Sequence, residues 1–161
     1  MENKNKALAI TIPGIIAAIY VVLTFVAQSV GLASGAIQFR LSEALTILPM
    51  FTSAAIPGLA IGCLLANLLT GCALWDVVFG TVATLLGALG TYALRKTENP
   101  LLGCLPPIIS NMLIVPVVLM KVYGAPESYL YLMLTVGIGE VVCCGVLGVL
   151  LYKVIKKRNL F

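Results

Sequence analysis

Histidine is absent from the chain. Imidazole acid–base catalysis, His-ligated metal centres and histidine pH switches are therefore excluded. Charge is almost as scarce: 10 % of the 161 residues are charged against 61 % hydrophobic, and only six residues are acidic. No glycine-rich loop ends in Gly-Lys-Ser or Gly-Lys-Thr, so the sequence has no Walker A loop for ATP. Active transport by such a chain draws its energy from a partner or an ion gradient. The five cysteines, Cys63, Cys72, Cys104, Cys143 and Cys144, form no Cys-x-x-Cys pair and mostly lie in apolar runs. They read as small apolar fillers, with no disulfide, metal or cofactor role. Without histidine or a nucleophile–base pair, an intramembrane enzyme lacks its parts.

What the sequence does have is hydrocarbon. A mean hydropathy of +1.11 lies far outside the soluble range. Several apolar runs reach or approach the roughly 18–20 residues that cross a bilayer as a helix. The run from Ala7 to Gly31 is too long for a signal-peptide core, and more such runs follow it. The expected fold class is an all-α integral membrane protein: one transmembrane domain over residues 1–161, with six transmembrane helices. The segments run about Ala7–Val30, Ser42–Ala55, Pro57–Thr70, Asp76–Leu94, Leu101–Val122 and Ser128–Ile155. Pro49 interrupts the second and Pro57 ends it, while Pro106, Pro107 and Pro116 lie inside the fifth. The second and third are short enough to be tilted or partly re-entrant.

Basic residues give a direction. With both termini cytoplasmic, that side holds Lys4, Lys6, Arg95, Lys96, Lys153, Lys156, Lys157 and Arg158, and the outer side holds Arg40 and Lys121. This asymmetry matches positive-inside sorting and favours an even number of crossings. The net charge of +4 then reflects topology and not nucleic-acid binding, because no basic face exists. Small residues at i, i+4 spacing (Gly14 and Ala18, Gly58 and Gly62, Thr84 and Ala88) offer faces for helices of this chain or of a partner.

Each polar residue within the apolar runs needs a reason. Gln38-Phe39-Arg40-Leu41-Ser42-Glu43 sets two charges between apolar runs, where Arg40 and Glu43 act as a structural clamp, a substrate contact or both. Glu140 lies about twelve residues into the sixth segment, roughly 18 Å deep, between Gly137 and Gly139. A carboxylate there is protonated, paired with another helix or used by a ligand. Asp76 opens the fourth segment, where it either caps the helix or binds a ligand. Asn67 and Asn111 suit helix bridging or recognition of a heterocycle. Trp75, Tyr20, Phe39 and Tyr92 are candidate stacking surfaces for a flat ligand, although Trp75 and Tyr129 also fit interfacial anchors.

The order and spacing of these residues resemble the QueT family. The resemblance is carried by Ile37-Gln38-Phe39-Arg40-Leu41-Ser42-Glu43-Ala44-Leu45 with Leu48-Pro49, and by Ile56-Pro57-Gly58-Leu59-Ala60-Ile61-Gly62-Cys63 with Asn67. Asp76-Val77-Val78-Phe79-Gly80-Thr81 and Gly139-Glu140 extend it over most of the chain. It implies a substrate-binding subunit (S-component) of an energy-coupling-factor importer in a bacterial cell membrane. Such a subunit has six helices and captures a vitamin-like molecule from outside. It docks on a transmembrane coupling subunit that carries two cytoplasmic ATPases. The implied substrate is a queuosine precursor, a 7-deazaguanine base such as 7-aminomethyl-7-deazaguanine or queuine. Gly14 and Ala18 are the nearest match to the face that meets the coupling subunit, departing from the usual paired alanines.

For such a base, Glu140 is expected to read the guanine-like edge, with Asp76 also suited in type. Asn67, Asn111, Gln38 and Arg40 would meet the carbonyl and ring nitrogens, and Trp75 or Phe39 would cover the ring face. The Gln38–Glu43 segment would help close the outer entrance. Two alternatives stand beside this reading: an S-component for a different vitamin-like heterocycle, and a membrane scaffold subunit that transports nothing.

Overall fold

The computed structural model describes residues 2–32 and 37–158, with side chains from Ile10 onward. The side chains of Lys4 and Lys6, counted in the charge asymmetry, lie outside the described residues. The described chain is all helical. Helix α1 spans Glu2–Ser29 and is followed by a 3-10 helix, Leu41–Met50. Then come α2 (Ala55–Leu69), α3 (Leu74–Ala93) and α4 (Pro100–Lys121). Finally α5 (Tyr129–Glu140), a π-helical stretch (Val141–Gly148) and α6 (Val149–Arg158) run on as one 30-residue helix.

These six segments follow the expected order. Four of them, Ile10–Ser29, Leu74–Thr97, Pro100–Lys121 and Tyr129–Arg158, are long and apolar enough to cross a membrane. Their outward faces carry leucine, isoleucine and valine, as lipid requires: Leu86, Leu105, Ile109, Leu134 and Val146 are all exposed. The chain is a multi-pass membrane protein. The other two segments are shorter. At about 1.5 Å per residue α2 rises roughly 22 Å, and at about 2.0 Å the 3-10 helix rises roughly 20 Å, against a hydrocarbon core of about 30 Å.

The second segment departs from expectation in kind. Pro49 does not interrupt it but lies inside the 3-10 helix, which stops at Met50, well before Pro57. Pro57 sits inside α2 instead. Far from being peripheral, the 3-10 helix is the centre of the fold, with all but Leu41 and Ala44 of its residues buried. Leu45 and Leu48 pack with Ile16, Tyr20, Leu59 and Ile155, while Ile47 and Met50 pack with Cys104, Ile108, Cys144 and Tyr152.

Small residues and prolines set the helix contacts. Helices α1 and α2 run side by side in parallel because Gly58 lies against Pro13 and Ile16, and Gly62 against Ala17 and Tyr20. The most extensive pairing, α3 with α4, seats Gly87 on Pro107 and Gly90 on Pro106. Pro107 has no N–H for the carbonyl four residues back. The hydroxyl of Thr91, on α3, donates to that carbonyl of Gly103 at 2.7 Å. One polar side chain thus repairs the helix that the proline opens, as a low-dielectric environment demands.

Candidate functional site

At one end of the bundle α1, α2 and α4 finish and α3 begins. A cavity of about 380 Å³ lies there. Thr24 and Gln28 reach it from α1, Gln38 and Arg40 from the segment before the 3-10 helix, Asn67 and Thr70 from α2, Asp76 from α3, and Tyr123 from the turn after α4. Val115, Leu119 and Ala27 supply the apolar wall. Its size falls in the range of roughly 300–1,000 Å³ typical of small-molecule sites, and a few convergent polar groups on an apolar wall are what such sites use.

The polar groups are positioned by their helices. Asp76 lies in the first turn of α3, where the free N–H groups favour an anion. The N-cap position itself is Ala73, which has no side chain that can cap. Asp76 Oδ2 accepts the Tyr123 hydroxyl at 3.0 Å, and the same hydroxyl oxygen accepts the Ala73 N–H at 3.0 Å. Desolvation of the phenol, with the Asp76 carboxylate adding to it, pushes the Tyr123 pKa up to about 12. Tyr123 therefore remains a neutral donor at physiological pH. Asn67 donates weakly to Cys63 Sγ at 3.6 Å, and Gly80 leaves room for its amide.

A second space adjoins the first. A cleft of about 20 Å³ is lined by Gln38, Arg40, Asn111, Val115, Val136 and Glu140. Gln38, Arg40 and Val115 border both spaces. Asn111 Nδ2 donates to Glu140 Oε1 at 2.9 Å, and the Cys144 thiol donates to Glu140 Oε2 at 3.0 Å. Behind Glu140 lies Glu43, which accepts the Tyr20 hydroxyl on Oε1 and leaves Oε2 buried with no partner. Donor atoms of Glu43, Glu140 and Cys144 all lie within 4.8 Å of one another, close enough to hold one cation. Gly139 is needed here because a Cβ would collide with the Gln38 carbonyl oxygen. Its absence lets the 37–40 segment lie directly on α5.

The sequence candidates divide accordingly. Asp76, Asn67, Gln38 and Arg40 share the larger cavity; Glu140 and Asn111 line the cleft with Gln38 and Arg40; Glu43 is 1 % exposed behind it. Trp75 is 60 % exposed, stacks on Phe79 at 5.9 Å, and lines a separate apolar groove with Leu113, Val117 and Val122. Phe39 is half-buried and lines none of these spaces; its N–H bonds to Leu32 O at 2.9 Å. Tyr92 is at the opposite end, beneath the Arg95 guanidinium at 3.7 Å. Tyr20 is buried with its hydroxyl on Glu43. Gly14 and Ala18 are exposed on the outer face of α1, and a Cβ at Gly14 would meet nothing within 4 Å.

Sequence reasoning did not single out Tyr123, Gln28, Thr24 or Thr70. Gln28 carries a legible signal, a polar residue inside an apolar run; Tyr123 beside a span end looks like any interfacial tyrosine. Cys144 was read as filler and is in addition a hydrogen-bond donor to Glu140.

Residues 10–157 match the family described as QueT transporter. The queuosine precursor transporter QueT of Lactococcus lactis subsp. cremoris (strain MG1363) is 37 % identical over 85 residues, 52 % of this chain and 49 % of that protein. The match thus spans about half the length of that relative. No solved structure matches the chain.

Proposed function

The chain belongs to the QueT transporter family, and from that premise we propose that it is the substrate-binding membrane subunit of an energy-coupling-factor importer for a queuosine precursor. The observation that carries the reading is the 380 Å³ cavity with Asp76, Arg40, Asn67 and Gln38 around one space. A 7-deazaguanine presents two N–H donors, from the ring and the exocyclic amine, along one edge and a carbonyl beside them. A carboxylate accepts both donors and a guanidinium or amide donates to the carbonyl. Asp76 takes the edge, Arg40 the carbonyl, and Asn67 and Gln38 the remaining ring positions. This moves the edge contact from Glu140 to Asp76, because a 20 Å³ cleft cannot admit a bicyclic ring.

The chain supplies binding, and a transmembrane coupling subunit with two ATPases supplies the energy. Gly14 and Ala18, exposed on α1, are the contact for that subunit. The positive-inside pattern supports an orientation with the cavity at the outer face and both termini in the cytoplasm.

Isothermal titration of the purified protein with deazaguanines and with unrelated vitamins tests the reading. Saturable binding of a deazaguanine, lost in Asp76→Ala, is expected. Binding of another heterocycle in its place makes the chain an S-component for that heterocycle. A protein that takes up none of them is a scaffold subunit.

A further inference from the structure

The buried site is short of positive charge. Glu43, Asp76 and Glu140 are buried acids, and Arg40 is the one basic side chain that lines either space. Among the described residues no ion pair joins Arg40 to any of them. Glu43 and Glu140 have donor atoms within 4.8 Å of each other. Two carboxylates so close in a low-dielectric interior repel strongly unless a proton or a cation lies between them. Glu43 also keeps one oxygen, Oε2, wholly buried and without a partner. A neutral base bound at Asp76 and Arg40 would leave this imbalance untouched.

We propose that Glu43 and Glu140 form a subsite for an ammonium group carried by the substrate. The inference rests on the reading of the chain as a deazaguanine binder and adds which members of that class it selects. The cleft of about 20 Å³ beside Glu140 has room for one water-sized group, the size of an ammonium head and far less than a ring. It adjoins the larger cavity along Arg40 and Gln38. In a 7-deazaguanine the substituent at position 7 projects beside the 6-carbonyl. A base whose carbonyl meets Arg40 therefore directs that substituent toward the cleft. The Cys144 thiol donates a hydrogen bond to Glu140 and adds no charge, so the pair carries −2, which one ammonium and the neighbouring Arg40 together offset. An aminomethyl ammonium in the cleft donates to Glu140 directly and, because a carboxylate oxygen of Glu43 lies within 4.8 Å of one of Glu140, offsets the charge of both acids.

The test is titration calorimetry of the full chain with three probes: 7-aminomethyl-7-deazaguanine, 7-cyano-7-deazaguanine and unsubstituted 7-deazaguanine. The amine is expected to bind roughly 10- to 100-fold tighter than either neutral base, the span of a charge-assisted hydrogen bond. In Glu140→Gln and in Glu43→Gln that ratio should fall toward one. Equal affinity of the three for the wild type overturns the subsite and leaves the base reading standing, with no variant required. An amine preference that survives both variants overturns it too, because the cation then sits elsewhere. Failure of all three probes to bind removes the base reading, and the subsite with it.

Discussion

Asp76 is the sharpest handle on the cavity. In Asp76→Asn one carboxylate oxygen becomes an N–H₂ donor aimed at the donors of the base. The lost contacts are two N–H···O⁻ bonds, each worth about 1.5–3 kcal/mol. Some of that is regained because the amide keeps one acceptor oxygen. A net loss of about 3 kcal/mol corresponds to roughly a hundredfold weaker Kd. Folding should feel the change much less. Asp76 sits in the first turn of α3, where the charge contributes about 0.3–1 kcal/mol, and the amide oxygen can still accept the Tyr123 hydroxyl. Tyr123→Phe is the companion variant. It removes the donor that orients Asp76 and the acceptor of the Ala73 N–H, a single neutral-donor bond on each side, and should weaken binding roughly fivefold. Calorimetric Kd values for the three proteins, with a thermal melt of each, decide the matter. If Asp76→Asn binds the base within threefold or so of the wild type while melting normally, the carboxylate does not read the edge.

Four further outcomes are expected. Thr91→Val leaves the Gly103 carbonyl unpaired and should cost about 1–2 kcal/mol of unfolding free energy in mixed micelles; the same change in a Pro107→Ala background, where a backbone N–H is restored, should cost clearly less. Gly139→Ala places a methyl group against the Gln38 carbonyl and should destabilise the fold by about 1–3 kcal/mol, with weaker base binding because Gln38 borders both spaces. If Gly14 and Ala18 are the contact proposed for a coupling subunit, Gly14→Leu with Ala18→Leu should leave the melting temperature and base affinity unchanged and abolish co-purification with such a subunit. Lys156, at 2.9 Å, holds the Glu98 carboxyl below the usual carboxylate range. The resulting small stabilisation is present at neutral pH and lost as pH falls through the lowered value. Glu98→Gln should therefore lower the melt slightly at neutral pH, screened by salt, and progressively less as the pH falls through that lowered value.

The legible parts of this protein were those that hydropathy encodes. Run lengths gave six helical segments with boundaries close to the observed ones, since a lipid-facing helix is apolar along its whole outward side. Run lengths do not distinguish backbone hydrogen bonding to i+3, i+4 or i+5. Leu41–Met50 as a 3-10 helix and Val141–Gly148 as a π-helix depend on the elements packed around them, and Pro49 consequently looked like a break. In the site, the rarity of polar residues in the apolar runs was a usable signal. It picked out Asp76, Asn67, Gln38 and Arg40, which the fold gathers round one space. It did not separate neighbours on a helix. Trp75 and Asp76 are consecutive, but each helical residue turns about 100° from the last, so one faces lipid and the other the cavity. The partition of Asp76 from Glu140 into different spaces was also hidden, because it depends on Val115 and Val136, two ordinary apolar residues, and on how the 37–40 segment lies against α5.

The two irregular helices explain why buried acids can stand so close. Non-α backbone at membrane depth is tolerated where protein covers it, and here the 3-10 helix and the π-helical stretch cover each other. Glu43 belongs to the first, and Glu140 directly precedes the second. Changing the hydrogen-bond register frees carbonyl oxygens, which small side chains then satisfy. Thr46 donates to the Glu43 carbonyl at 2.6 Å, and the Cys104 thiol donates to the Cys144 carbonyl at 3.0 Å. A thiol suits that task because it is a weak donor on an apolar body and needs no water. Serine in its place would bring a hydroxyl with two acceptor lone pairs to fill beside carboxylates that are themselves pure acceptors. The cysteines therefore serve the site as well as the core, donating to carbonyl and carboxylate oxygens where the helices carrying the acids meet. A cation that enters from the cavity side meets carboxylates already held in place, and little of its binding energy is lost to rearranging the protein.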